Sequence, residues 1–143
     1  MKATDEQLRE RWLTPEGEKI KQEIVDHIKD DDWERFLIGF PFVDEVENGK
    51  DLRFIDLSNK NIKEEECPIA VSTSTGFEEF YPTEPYFGQA NLQEANLIGA
   101  NLKKINFEKA NLMNANFGRT NLQEAKFHDA LIFSTDFSNA NLK

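Results

Sequence analysis

From Ala90 to Lys143 the chain reads ANLQE ANLIG ANLKK INFEK ANLMN ANFGR TNLQE AKFHD ALIFS TDFSN ANLK, a five-residue period without a slip. Large apolar residues recur at Leu92, Leu97, Leu102, Phe107, Leu112, Phe117, Leu122, Phe127, Ile132, Phe137 and Leu142, with a small or modest residue two places before each. A helix would spread such a stripe around its whole surface, and a continuous strand would send alternate repeats to opposite faces. The chain must therefore be reset every five residues. In a three-residue extended stretch the first and third side chains share a face, so Ala90 and Leu92 point inward, Asn91 outward, and Gln93-Glu94 turn a corner. The product is a solenoid in which each turn buries its core against the next.

The stacking interval decides how many sides a turn has. At fifteen residues the columns are mixed, as in Phe87, Leu102, Phe117 and Ile132. At twenty they sort into Phe87/Phe107/Phe127, Leu92/Leu112/Ile132, Leu97/Phe117/Phe137 and Leu102/Leu122/Leu142, so four sides are expected. Tandem A-(N/D)-(L/F)-x-x over residues 85–143 resembles the pentapeptide-repeat family. The resemblance implies an all-β solenoid, the right-handed quadrilateral β-helix. An earlier block, residues 44–64, carries the same register at Leu52, Leu57 and Ile62.

Residues 65–84 depart from the pattern, and their length equals one four-sided turn. Two structures fit: a distorted coil with Cys67, Ser72 and Phe77 inward, or a loop with Phe87 following Ile62 in the stack. Pro82 at a core position and the charged pairs Glu65-Glu66 and Glu78-Glu79 favour the loop. Residues 1–43 are expected to form a small α-helical N-terminal cap. Thr4 with Gln7 reads as a capping box, Thr14-Pro15 as a second helix start, and Ile20, Ile24 and Ile28 as its apolar stripe. Asp31 or Asp32 could open a third helix bearing Trp33, Phe36, Leu37 and Phe40.

Charge divides unevenly. Of a net −10, residues 1–84 hold 22 acidic and 11 basic side chains and residues 85–143 hold 5 and 6, so no basic stripe suits nucleic acid. No apolar run is long enough to span a bilayer or serve as a secretory signal, and the lone Cys67 has no partner for an internal disulfide; a cytoplasmic protein is expected. His27 and His128 lack second ligands at metal spacing, and Asp30-Asp31-Asp32 lacks the spaced oxygens and glycine of a calcium loop. The asparagine column from Asn91 to Asn141 is assigned to side-chain to backbone hydrogen bonding.

No catalytic, cofactor or metal residues are assigned, and no small-molecule substrate, nucleic acid or membrane is expected as a ligand. Elimination leaves a non-enzymatic scaffold or protein-interaction module. Its candidate contacts are Phe77, Phe80, Tyr81 and Tyr86 around Pro82 and Pro85, and an open coil end bearing Leu122, Ile132, Phe137 and Leu142. A protein partner, or a second copy forming a homodimer through that end, is the expected occupant. The resemblance also implies an alternative, the gyrase-directed DNA mimics linked to quinolone resistance, which a near-neutral coil disfavours.

Overall fold

The computed structural model describes residues 3–27, 51–62, 69–72, 78–81, 88 and 90–143, with backbone alone at His27 and in the two strands. Each five-residue unit is closed by one bond, from the N–H of the small residue to the carbonyl of the preceding large one. Ala95 to Leu92 and Ala115 to Leu112, each at 3.0 Å, are examples. The last corner residue then takes a left-handed conformation, with φ from 55° at Asp129 to 66° at Gly99. Glycine meets this requirement once; Glu94, Lys104, Lys109, Arg119 and others meet it at a cost of about 1 kcal/mol each.

Successive turns are joined by parallel bridges twenty residues apart: Asn91 with Asn111, Asn96 with Asn116, Asn101 with Asn121 and Asn106 with Lys126. Four five-residue sides per turn follow directly. Residues 51–62 instead bridge forty positions onward, Asp51 with Asn91 and Asn61 with Asn101, and the Leu52 N–H reaches the Asn91 carbonyl at 2.8 Å. That direct pairing sets residues 51–62 and 90–101 side by side in the stack. The intervening segment includes an antiparallel hairpin, β1 (Ile69–Ser72) with β2 (Glu78–Tyr81), in which Ile69 faces Tyr81 and Ala70 faces Phe80 in register. Cys67 lies outside the described residues.

The core is a set of ladders. Leu52, Leu57, Leu92, Leu97, Leu102, Phe107, Leu112 and Phe117 are fully buried. Phe107 stacks on Phe127 at 5.3 Å and 22°, and Phe117 on Phe137 at 5.2 Å and 13°. Rings on opposite sides meet across the core at 78° to 87°. Near-parallel rings along the axis and near-perpendicular rings across it fill the square core, and both geometries are favourable for aromatic pairs. Thr120 and Thr135, in the small-residue position, donate their hydroxyls to the carbonyls of Leu97 and Leu112 at 2.7 and 2.8 Å.

Helix α1 (Asp5–Glu10) begins in the capping box of Thr4 and Gln7 and runs into a 3₁₀ turn, Arg11–Leu13. Thr14 then accepts the Gly17 N–H at 3.0 Å to start α2 (Pro15–His27). At Gly17 the helix passes so close to the 3₁₀ turn that a β-carbon would collide with the Arg11 carbonyl. Trp12, Ile20 and Ile24 join one buried cluster with Leu52, Ile55 and Leu57. The expected Ile28 stripe position and the third helix with Trp33, Phe36, Leu37 and Phe40 lie outside the described residues.

Candidate interaction faces of the coil

Backbone accounting makes the two ends of the coil chemically different. On each side a turn sends two N–H groups forward and receives one back: Leu92 donates to Asn111 at 2.7 Å, Glu94 to Met113 at 2.9 Å, and Asn111 returns a bond to Ala90 at 2.9 Å. The face toward lower residue numbers is therefore rich in carbonyls and the face toward higher numbers rich in N–H donors. In most repeats a remaining N–H is met by the asparagine or aspartate of the outward column. Asn91, Asn96, Asn111 and Asn116 accept the amides of Gln93, Ile98, Met113 and Gly118 at 2.9 to 3.2 Å. This is the side-chain to backbone bonding expected of that column. On the third side Asn61, Asn101 and Asn121 also form an amide ladder, at 2.8 and 3.0 Å.

At the carbonyl-rich face the helical segment supplies the donors. Arg11 donates to the Asp51 carbonyl at 2.8 Å and its carboxylate at 3.2 Å, and the Trp12 indole donates to the Arg53 carbonyl at 2.7 Å. Arg53 grips the same carboxylate at 2.9 and 3.0 Å. Burial pushes the Asp51 carboxyl up, but the Arg53 hydrogen bonds and the Arg11 charge outweigh it and hold the group below its ordinary value.

The donor-rich face lies around turn four, residues 130–143. Ile132 and Leu142 are about half exposed there, and Phe127 and Phe137 are partly buried. Leu122, expected at this end, is 1 % exposed. Its column partner twenty residues on is Leu142, which covers it.

Two further residues escaped the column reading. Leu131 and Phe133 are 56 % and 75 % exposed on the outer wall. Leu131 occupies the column of Asp51, Asn91 and Asn111, and Phe133 that of Arg53, Gln93 and Met113. The sequence signal was the unbroken Leu131-Ile132-Phe133 run, where other repeats from Ala90 onward place Asn, Asp or Lys before the central residue. Phe80 and Tyr81 stand on β2, while Phe77 and Tyr86 lie outside the described residues. His128 is exposed beside Asp129 at 3.3 Å, and Asp30-Asp31-Asp32 lies outside the described residues. Among the described residues no three His, Cys, Asp or Glu side chains converge on a metal position, and no helix is long and apolar enough to cross a membrane.

A family model described as pentapeptide repeats (8 copies) matches residues 90–129 and 110–143. Among solved structures, a pentapeptide repeat protein from the Arabidopsis thaliana thylakoid lumen is similar at 25 % identity and a TM-score of 0.50, over 65 % of this chain and 50 % of its own. A pentapeptide repeat protein from Nostoc Pcc 7120 is similar at 24 % identity and a TM-score of 0.51, over 67 % of this chain and 63 % of its own. The match thus spans about half to five-eighths of those neighbours' lengths. A search of curated proteins returns no match. The five-residue register, the four-sided bridges and these likenesses agree: residues 90–143 are matched as pentapeptide repeats, and the fold of the pentapeptide repeat proteins they resemble is the right-handed quadrilateral β-helix.

Proposed function

We propose that the chain is a non-catalytic protein-interaction scaffold whose contact surface is the apolar edge of turn four. The observation that carries this reading is the pair Leu131 and Phe133. Both are large, apolar and more than half exposed, on a wall whose equivalent positions hold Asn, Gln and Met. Exposed aromatic and aliphatic residues beside a partly exposed core face are the common anchors of protein contacts. Regular bridges on every side hold the edge rigid, so little ordering entropy opposes binding. The helical segment serves as the cap of the opposite face, where Arg11 and Trp12 close the carbonyl row. A DNA-mimicking role gains less support, because residues 85–143 carry 5 acidic and 6 basic side chains and supply no acidic track.

The test is cross-linking in cell extract with quantitative mass spectrometry, comparing the chain with its Leu131→Asn/Phe133→Gln variant. Partners lost from the variant, with thermal unfolding unchanged, support the reading. An unaltered cross-linked set overturns it.

A further inference from the structure

We propose that the outer edge of β2 (Glu78–Tyr81) takes an extended, basic segment of another protein as a third strand. This surface is separate from the turn-four edge, and its assignment does not depend on that reading.

The hairpin belongs to the stretch between residues 51–62 and 90–101, which pair directly with one another. β1 and β2 form a sheet of two strands, and among the described residues neither pairs with a third strand or with a turn of the coil. Antiparallel pairing engages both backbone groups of alternate residues only. Two of the four residues of β2 therefore turn an N–H and a C=O to the outer edge. A two-stranded hairpin is marginally stable by itself, and a third strand both satisfies that row and stabilises the pair.

Charge selects the occupant. Residues 63–84 hold six acidic residues and one basic, whereas residues 85–143 hold 5 and 6. Two of the six, Glu78 and Glu79, stand on β2 itself, while β1 carries no charged residue. Charges on an edge strand deter pairing with neutral or acidic strands, and the same glutamates favour a strand with lysine or arginine directly opposite.

The register gives that strand a pattern. Ile69 is paired with Tyr81, Ala70 with Phe80, Val71 with Glu79 and Ser72 with Glu78. Alternation places Glu79 and Tyr81 at positions of one face and Glu78 and Phe80 at positions of the other. Each face thus has one acidic and one aromatic position along β2. An antiparallel third strand, the commoner and stronger pairing, meets Tyr81, Phe80, Glu79 and Glu78 in that order. Its complement is two β-branched or aromatic residues followed by two basic ones.

A second copy fits less well. Pairing β2 with β2 of another molecule gathers four glutamates at one edge and brings together two acidic stretches.

The experiment titrates the full chain into a fluorescein-labelled peptide, Val-Tyr-Lys-Arg flanked by serines, and into its twin with glutamate at both basic positions, followed by anisotropy. The basic peptide is expected to bind and the acidic twin to bind at least about ten-fold more weakly. Glu78→Lys/Glu79→Lys in the chain should reverse that preference, with Glu79→Lys alone as the second variant should the first unfold. Two further twins of the basic peptide, N-methylated at alternate backbone positions, separate strand addition from charge attraction. Methylation at the positions whose N–H groups face β2 should weaken binding at least about ten-fold, and methylation at the others should leave it unchanged. Failure of the basic peptide to bind, a preference that survives the charge reversal, equal binding of the two methylated twins, or light scattering that reveals a dimer broken by the charge reversal, overturns the assignment.

Discussion

The indole N–H of Trp12 donates to the main-chain carbonyl of Arg53 at 2.7 Å, in the place where the amide of a preceding turn would stand. One turn later the carbonyl of Gln93 receives the Phe54 amide at 3.1 Å in the equivalent position. The side chain thus takes the place of a backbone amide. Trp12→Phe keeps most of the buried volume and removes the donor, so a loss of about 1–3 kcal/mol is expected in urea unfolding. A phenylalanine variant as stable as the parent would show that packing alone holds the helical segment on residues 51–53.

Acid should loosen the same junction. The Asp51 carboxyl is held below its ordinary value of 3.8, so its contribution to stability is complete above that value and is lost as pH falls through the lower folded-state value. Asp51→Asn removes the carboxylate that faces the buried Arg11 and should cost about 3 kcal/mol at neutral pH. Its stability should then vary less than the parent's below about pH 4. Urea midpoints at several pH values read both effects, and parallel pH curves for the two chains would remove Asp51 from the acid response.

Phe107→Ala should cost about 3–5 kcal/mol, because the ring is fully buried between a stacked partner in Phe127 and an edge-on partner in Phe117. A near-neutral result by denaturant unfolding would contradict the ladder.

These energetics separate what local pattern encodes from what it does not. The period, the four sides and the inward columns were legible because the repeats solve the same local problem, with the same corner bond and, in most of them, the same asparagine cap. The role of Arg11 was not legible, since its partner Asp51 is forty residues away and neither residue has an apolar periodicity to announce it. Leu122 was placed at the end by column membership alone; the +20 partner decides exposure, and Leu142 supplies it. Leu131 and Phe133 were passed over because attention to inward positions treats the outer wall as solvent. The donor excess of one face is invisible to side-chain reading altogether, being a property of how parallel turns share backbone groups.

Corner conformation yields a direct test. Arg119 holds a φ of 57° on the surface, a region in which side chains with a β-carbon are strained and β-branched ones most of all. Arg119→Gly should leave stability unchanged or raise it by up to about 1 kcal/mol, whereas Arg119→Ile should lower it by about 1–2 kcal/mol. Thermal unfolding of the two variants decides the matter, and equal midpoints would mean that the corner relaxes away from the left-handed region.

Restoring the asparagine column at Leu131 should separate stability from binding. Asn111, one turn earlier in that column, accepts the Met113 amide at 3.1 Å, while the Phe133 amide has no such acceptor among the described residues. Leu131→Asn supplies one and removes an exposed leucine, so a gain of about 0.5–1.5 kcal/mol is expected in urea unfolding. The same change removes one of the two outward anchors and should weaken capture of cross-linked partners. A variant that is more stable and binds less would mean that the apolar edge is maintained at the expense of the fold, which is the relation expected of a contact surface. A variant that is more stable and binds as well would assign the contact to Phe133 and the end face alone, and one that is less stable would show that Leu131 packs on the wall.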